Sequence, residues 1–158
     1  MSVALVTGAA AGIGRATAVA LAASGHRVFA TDRDEAGLRG LAADLPITYA
    51  VGDLADPAVP GRLVAECART MGRIDVLALV AGIGQSGPAT TIDVDLWDRV
   101  HAINLRAPFL LARDAFPHLE ATGGCIVAVA SLAGTRGWPY AAAYSAAKGG
   151  LVNLMRTL

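Results

Sequence analysis

Three residues near the end of the chain could do chemistry together: Ser131, Tyr144 and Lys148. Lys148 is the only lysine among 13 basic side chains, so wherever a surface cation suffices this sequence uses arginine. An ammonium is a compact charge with three rotatable donors, whereas guanidinium is a planar fork. One small cation can therefore reach several oxygens where the fork cannot. Tyr144 precedes Lys148 by four residues, and side chains four apart on a helix lie one above the other. A cation beside a phenol favours the phenolate and pulls a tyrosine down from its unperturbed value of about 10. A surface lysine that merely follows a tyrosine would show the same spacing. Ser131, thirteen residues before Tyr144, and a glycine-rich loop at the opposite end of the chain decide for chemistry.

That loop is Thr7-Gly8-Ala9-Ala10-Ala11-Gly12-Ile13-Gly14, between a short apolar run and a helical pattern. Glycines let the backbone turn tightly and approach a pyrophosphate, and the amides at the helix start face its charge. Any tight strand-to-helix turn favours glycine, so the cluster alone is a weak signal. Asp32, eighteen residues beyond Gly14 at the end of the second apolar run, supplies the acid expected to take the adenosine ribose hydroxyls. A carboxylate there repels a 2′-phosphate, and Ala11 offers no cation to attract one, which favours NAD. Arg33 could receive that phosphate and keeps NADP open.

The elements that must position these groups alternate regularly. Val3–Thr7, Arg27–Thr31, Ile47–Val51, Ile74–Val80 and Cys125–Ala130 are near-continuous apolar runs of strand length, the pattern of a parallel sheet covered on both faces. Helices are expected near 12–24, 34–44, 57–71, 93–119 and from 142 to the end. Asp34, Asp56 and Asp93 are natural helix starters. Pro57 and Pro60 suit a first turn, and Pro108 predicts a kink. Residues 1–158 thus read as one doubly wound α/β domain, a Rossmann fold with five strands.

Composition excludes other classes. Thirteen acids against thirteen bases leave no net charge, which argues against electrostatic binding to nucleic acid or a membrane surface. No stretch approaches the roughly 20 apolar residues of a spanning helix, and the first residues lack a signal-peptide pattern. Apolar residues make up 54% of the chain, but 34 of them are alanine, which suits closely packed helices. Cys67 and Cys125 have neither metal nor disulfide-framework spacing. The three histidines are scattered, and no metal is called for. A cytoplasmic protein is the default.

The glycine loop, Asn104, Ser131 and Tyr144-Ser-Ala-Ala-Lys148 occur together and in order, and in this the chain resembles the short-chain dehydrogenase/reductase family from Val3 to its last residue. The resemblance implies that Gly8, Gly12, Ile13 and Gly14 line the pyrophosphate. It implies too that Asp32 holds the ribose, that Asp53 contacts the adenine, and that Ala81 and Gly82 approach the cofactor. It makes Tyr144 the general acid or base, and Lys148 the cation that lowers its pKa and holds the nicotinamide ribose. Ser131 becomes the donor to the substrate oxygen, and Asn104 positions a water behind Lys148. A buried asparagine satisfying freed helix carbonyls is the plain structural role for Asn104, and the two roles can coexist. Trp138, Pro139 and Tyr140 are placed to border a substrate pocket or simply to pack a loop.

Two departures stand out. The family has asparagine before Ala-Gly after the fourth strand, where this chain has Val80. The chain also runs only ten residues past Lys148, whereas family members continue with further strands and a substrate-covering helix, so it is expected to be a fragment. The leading expectation is an NAD(P)-dependent oxidoreductase acting on a secondary alcohol or ketone. The alternative is a truncated, inactive nucleotide-binding or partner-binding fragment. The fifth strand should lie at a sheet edge, and a homo-oligomer is expected from that open edge and from apolar positions along the last helix.

Overall fold

The computed structural model describes all 158 residues. Strand β1 (Val3–Thr7) leads through α1 (Gly12–Ala23) to β2 (Arg27–Asp32), then through α2 (Glu35–Asp44) to β3 (Thr48–Val51). Helix α3 (Val59–Met71) returns the chain to β4 (Val76–Leu79). A 3-10 turn at Ala89–Thr91 precedes α4 (Val94–His101), a π-helical stretch (Ala102–Arg106) and α5 (Ala107–Thr122). Strand β5 (Cys125–Ala128), the short α6 (Leu132–Arg136) and α7 (Ala142–Thr157) complete the chain.

The sheet is entirely parallel, in the order β3-β2-β1-β4-β5, as a doubly wound α/β fold requires. Helices lie on both faces of its central part, so the inner strands alternate between two cores. Val3, Leu5, Phe29 and Leu77 pack against α3 and α5, whereas Ala4, Val6, Val28 and Ala30 pack against α1 and α2. Fully burying a side chain the size of Phe29 or Leu77 contributes about 1.5–3 kcal/mol. Strand β5 is an edge, as expected, and its Val127 is 55% exposed.

The order reverses at β1. The chain winds outward through β2 and β3, then comes back to place β4 on the other side of β1. Loops leaving β1 and β4 therefore diverge above the sheet and open a crevice at their carboxyl ends, the place where such folds bind ligands.

Several local expectations need correction. Asp34 and Asp93 do cap α2 and α4, accepting the amides of Gly37 and Asp95. Asp56 instead turns the chain by accepting the Ala58 amide, and α3 begins only at Val59, with Pro60 in its first turn and Pro57 outside it. The kink expected at Pro108 is a widening of the helix just before it. Proline lacks an amide and its ring crowds the carbonyl four residues back, which is that of Asn104. The π-helical stretch centred on Asn104 relieves that crowding. Helix α5 then runs on through Pro117. Helix α6 and the 3-10 turn had no counterpart in the sequence pattern.

Candidate active site

The crevice is a cleft of about 390 Å³ lined by Gly8, Gly12, Ile13, Gly14, Asp32, Asp53, Ala81 and Gly82, all anticipated from sequence, and by Thr31, Arg33, Val80 and Ile103, among others. The glycine loop is shaped by contact distances. A Cβ on Gly14 would lie 2.0 Å from the Gly8 carbonyl oxygen, so α1 can pack on the loop only with glycine there. Gly8 combines φ +70° with a backbone approach to Ala81, where a Cβ would come within 2.9 Å of that residue's Cα.

Asp32 stands at the end of β2 with each carboxylate oxygen held once. Oδ2 accepts the Ala10 amide and Oδ1 the Asp34 amide, both at 3.1 Å. Lone pairs remain on both oxygens for ribose hydroxyls. Asp53 is fixed similarly, accepting the Ala55 amide at 2.9 Å and the Arg99 guanidinium at 3.0 Å. The Ala55 amide, and then the charges of Arg99 and Arg33, hold its carboxyl below the usual carboxylate range against the opposing effect of partial burial. Arg99, on α4, was not anticipated from the sequence. The buried Thr31 hydroxyl has no hydrogen-bond partner.

Val80, standing where the family's asparagine would, does not leave its segment loose. The buried Thr7 hydroxyl accepts the amides of Val80 and Ala81 at 3.0 and 3.1 Å, and donates to the Ala78 carbonyl at 3.3 Å. Asn104, fully buried, continues the bracing. Its Oδ1 accepts the Ile83 amide at 2.9 Å and its Nδ2 donates to the Ile83 carbonyl at 2.8 Å. The side chain therefore serves a neighbouring segment rather than the freed helix carbonyls, because the widened π turn accommodates Pro108 without it.

Lys148 is 3% exposed, and burial pushes its ammonium below the usual lysine range. Nζ donates to the Val129 carbonyl at 2.7 Å and lies 5.9 Å from the centre of the Tyr144 ring, within cation–π range. A Cβ on Gly82 would sit 3.0 Å from Asn104 Oδ1 and 3.4 Å from Lys148 Nζ, so that glycine marks where the two side chains converge on the cleft. Ser131 is the N-cap of α6, its Oγ accepting the Ala133 amide at 3.2 Å. Helix α6 lies flush on α7 because Gly134 has no side chain: a Cβ there would be 2.6 Å from the backbone of Lys148. The same close packing carries Ser131 to the helix that bears Tyr144 and Lys148.

A family profile described as short chain dehydrogenase matches residues 2–158. The chain belongs to the short-chain dehydrogenase family. Among curated members it is 36% identical to meso-2,3-butanediol dehydrogenase of Serratia marcescens, over 99% of this chain and 63% of that protein. It is 40% identical to D-threitol dehydrogenase of Mycolicibacterium smegmatis, over 99% of this chain and 62% of that protein. A metagenomic short-chain oxidoreductase solved in complex with NADP superposes with a TM-score of 0.92 at 38% identity, covering 99% of this chain and 74% of that one. The chain thus spans less than two thirds of the length of these two curated dehydrogenases. No helix is long and apolar enough to cross a membrane.

Proposed function

We propose that this short-chain dehydrogenase transfers a hydride between a nicotinamide dinucleotide and a secondary alcohol or ketone, with Tyr144 moving the proton. The observation that carries the reading is the convergence of Lys148 Nζ, Asn104 and the Gly82 backbone at one end of a glycine-lined cleft. The cleft suits the dinucleotide: a loop that side chains would fill faces a helix start, and a carboxylate with free lone pairs stands beyond it. Bound there, the nicotinamide supplies or accepts the hydride.

The remaining work falls to the chain's own residues. The Tyr144 hydroxyl donates its proton to a ketone oxygen, or its phenolate takes one from an alcohol in the reverse direction. The Lys148 cation steadies the phenolate left behind. Because Ser131 Oγ already receives the Ala133 amide, its own hydrogen is free to donate to the substrate oxygen as charge develops. Asn104 retains a lone pair and an amide hydrogen for a water beside Lys148. Asp32 favours NAD over NADP, while Arg33 on the cleft wall and the NADP-bound relative leave NADP a usable second cofactor. The open β5 edge and the exposed Phe109 and Phe116 of α5 support self-association.

Assay of secondary alcohols and ketones with NAD(H), comparing wild type with Tyr144→Phe, tests the reading. The variant should lose about 10²–10⁴ in kcat, the contribution of a positioned acid, while its affinity for NADH stays within about twofold. Turnover close to wild type would remove Tyr144 from the mechanism. NADH binding without turnover by wild type would favour a nucleotide-binding role for these 158 residues.

A further inference from the structure

Gln85 is 8% exposed, and the chemistry above makes no use of it. It lies six residues beyond the end of β4, in the segment that Asn104 braces at Ile83. Its Nε2 donates to the Tyr140 carbonyl at 3.3 Å and its Oε1 accepts the Ala143 amide at 3.2 Å. A carbonyl can only accept and an amide N–H can only donate, so this pair of partners fixes which way the Gln85 amide faces.

Ala143 is in the first turn of α7, where helix amides have no intrahelical partner. The residue at the N-cap position is Ala141, whose side chain cannot serve. Serine, threonine, aspartate or asparagine would normally do so locally. Here the acceptor comes from 58 residues away in sequence. Just before the helix, Tyr140 has φ +61°, the one non-glycine residue in the left-handed region. Such a conformation persists only where surrounding contacts over-determine it. Two donors converge on its carbonyl, Gln85 Nε2 and the Gly87 amide at 2.7 Å. Three hydrogen bonds thus clasp residues 85–87 to residues 140–143, ending one residue before Tyr144.

We propose that Gln85 is a positioning residue: capping α7 from the segment that follows β4, it sets the direction in which the Tyr144 hydroxyl enters the site. The bond from the Ala143 amide ties down the first turn of α7 at the residue next to Tyr144. Without the clasp, Tyr140 relaxes out of the left-handed region and the first turn shifts. A displacement of about 1 Å at a proton donor can cost 10²-fold in rate. The inference rests on Tyr144 being that donor, and its test separates the two claims.

Gln85→Met keeps the length of the side chain and removes both hydrogen bonds. Gln85→Glu keeps an acceptor facing Ala143 but turns the donor to Tyr140 into an oxygen that repels that carbonyl. For the wild-type protein and both variants, amide hydrogen exchange, NADH affinity, kcat and KM are measured. In Gln85→Met the Ala143 amide should exchange at least about tenfold faster while the amides of β1 and β4 are unchanged. Its kcat should fall about 10–100-fold, with NADH affinity within about twofold. Gln85→Glu should keep Ala143 protected. Unchanged protection at Ala143, or a kcat loss matched by equal loss of protection throughout the sheet, would overturn the proposal. If the wild-type protein shows no hydride transfer, the reading of Tyr144 fails, and exchange at Ala143 still decides whether Gln85 caps α7.

Discussion

Lys148 Nζ lies 2.7 Å from the carbonyl oxygen of Val129, just past the end of β5, and that bond draws a nearly inaccessible ammonium toward the carboxyl edge of the sheet. The position suits the proposed function and is costly for the fold. Burial lowers the proton affinity of Lys148 in the folded chain. Between that lowered value and the ordinary lysine value of about 10.4, the unfolded chain binds more protons, so stability rises with pH across this window. Below that window the group is charged in both states and the burial cost is felt in full.

Lys148→Met should therefore retain or exceed wild-type stability at pH 7 and abolish turnover. Its advantage should shrink as the pH is raised toward the ordinary lysine value. Urea titrations at pH 7 and 10 check this. A loss of more than about 1 kcal/mol at pH 7 would mean that the bond to Val129 outweighs desolvation.

Thr7 makes a separate prediction at the head of the cleft. Its hydroxyl serves both the Val80 and Ala81 amides, so Thr7→Val, equal in shape, orphans two donors at once. About 1–3 kcal/mol for each buried unsatisfied group, reduced because these amides are only partly buried, gives about 2–4 kcal/mol in all. Thr7→Ser should recover most of it. Equal losses in the two variants would show that the methyl, not the hydroxyl, matters.

These two residues also mark how far the sequence could be read. The sheet was legible because a parallel strand covered on both faces must be an unbroken apolar run, as Val3–Thr7 and Val76–Leu79 are. Asn104, Ser131, Tyr144 and Lys148 stood out through residue type and order. The Thr7 bridge to Val80 and the Gln85 clasp on Tyr140 did not, because each joins residues more than fifty apart that nothing local pairs. The π-helical stretch was hidden for another reason. It is a single wide turn between two helices, too short for a period of its own to show. Ser131 was selected for its chemistry, and its second role as the cap of α6 followed from a five-residue helix too short to show a period.

The two thiols should behave differently. Thiolate is the reactive form, and burial pushes the Cys67 thiol up to about 12. Cys125 is exposed at the start of the edge strand. A chromogenic disulfide reagent at pH 8 should label one thiol of the native protein rapidly and the second only on unfolding. Rapid labelling of both would show that the α3 face of the core opens in the native state.

Cofactor preference turns on Asp32 and Arg33. The carboxylate of Asp32 is held in place by the Ala10 and Asp34 amides, so it cannot easily swing away from a 2′-phosphate. Two like charges about 4 Å apart repel by about 1 kcal/mol in water and more in a partly closed cleft. NADH should therefore bind at least about fivefold more tightly than NADPH at low salt. Asp32→Ala should narrow or reverse the gap, because it removes the ribose acceptor and the repulsion together and leaves the neighbouring Arg33 to receive the phosphate. Arg33→Ala in the Asp32→Ala background should then weaken NADPH binding alone. Fluorescence titrations of both cofactors against these two variants and wild type give the answer. Equal affinities in the wild-type protein would show that Asp32 does not choose the cofactor, and an NADPH preference unaffected by Arg33→Ala would place the phosphate contact elsewhere.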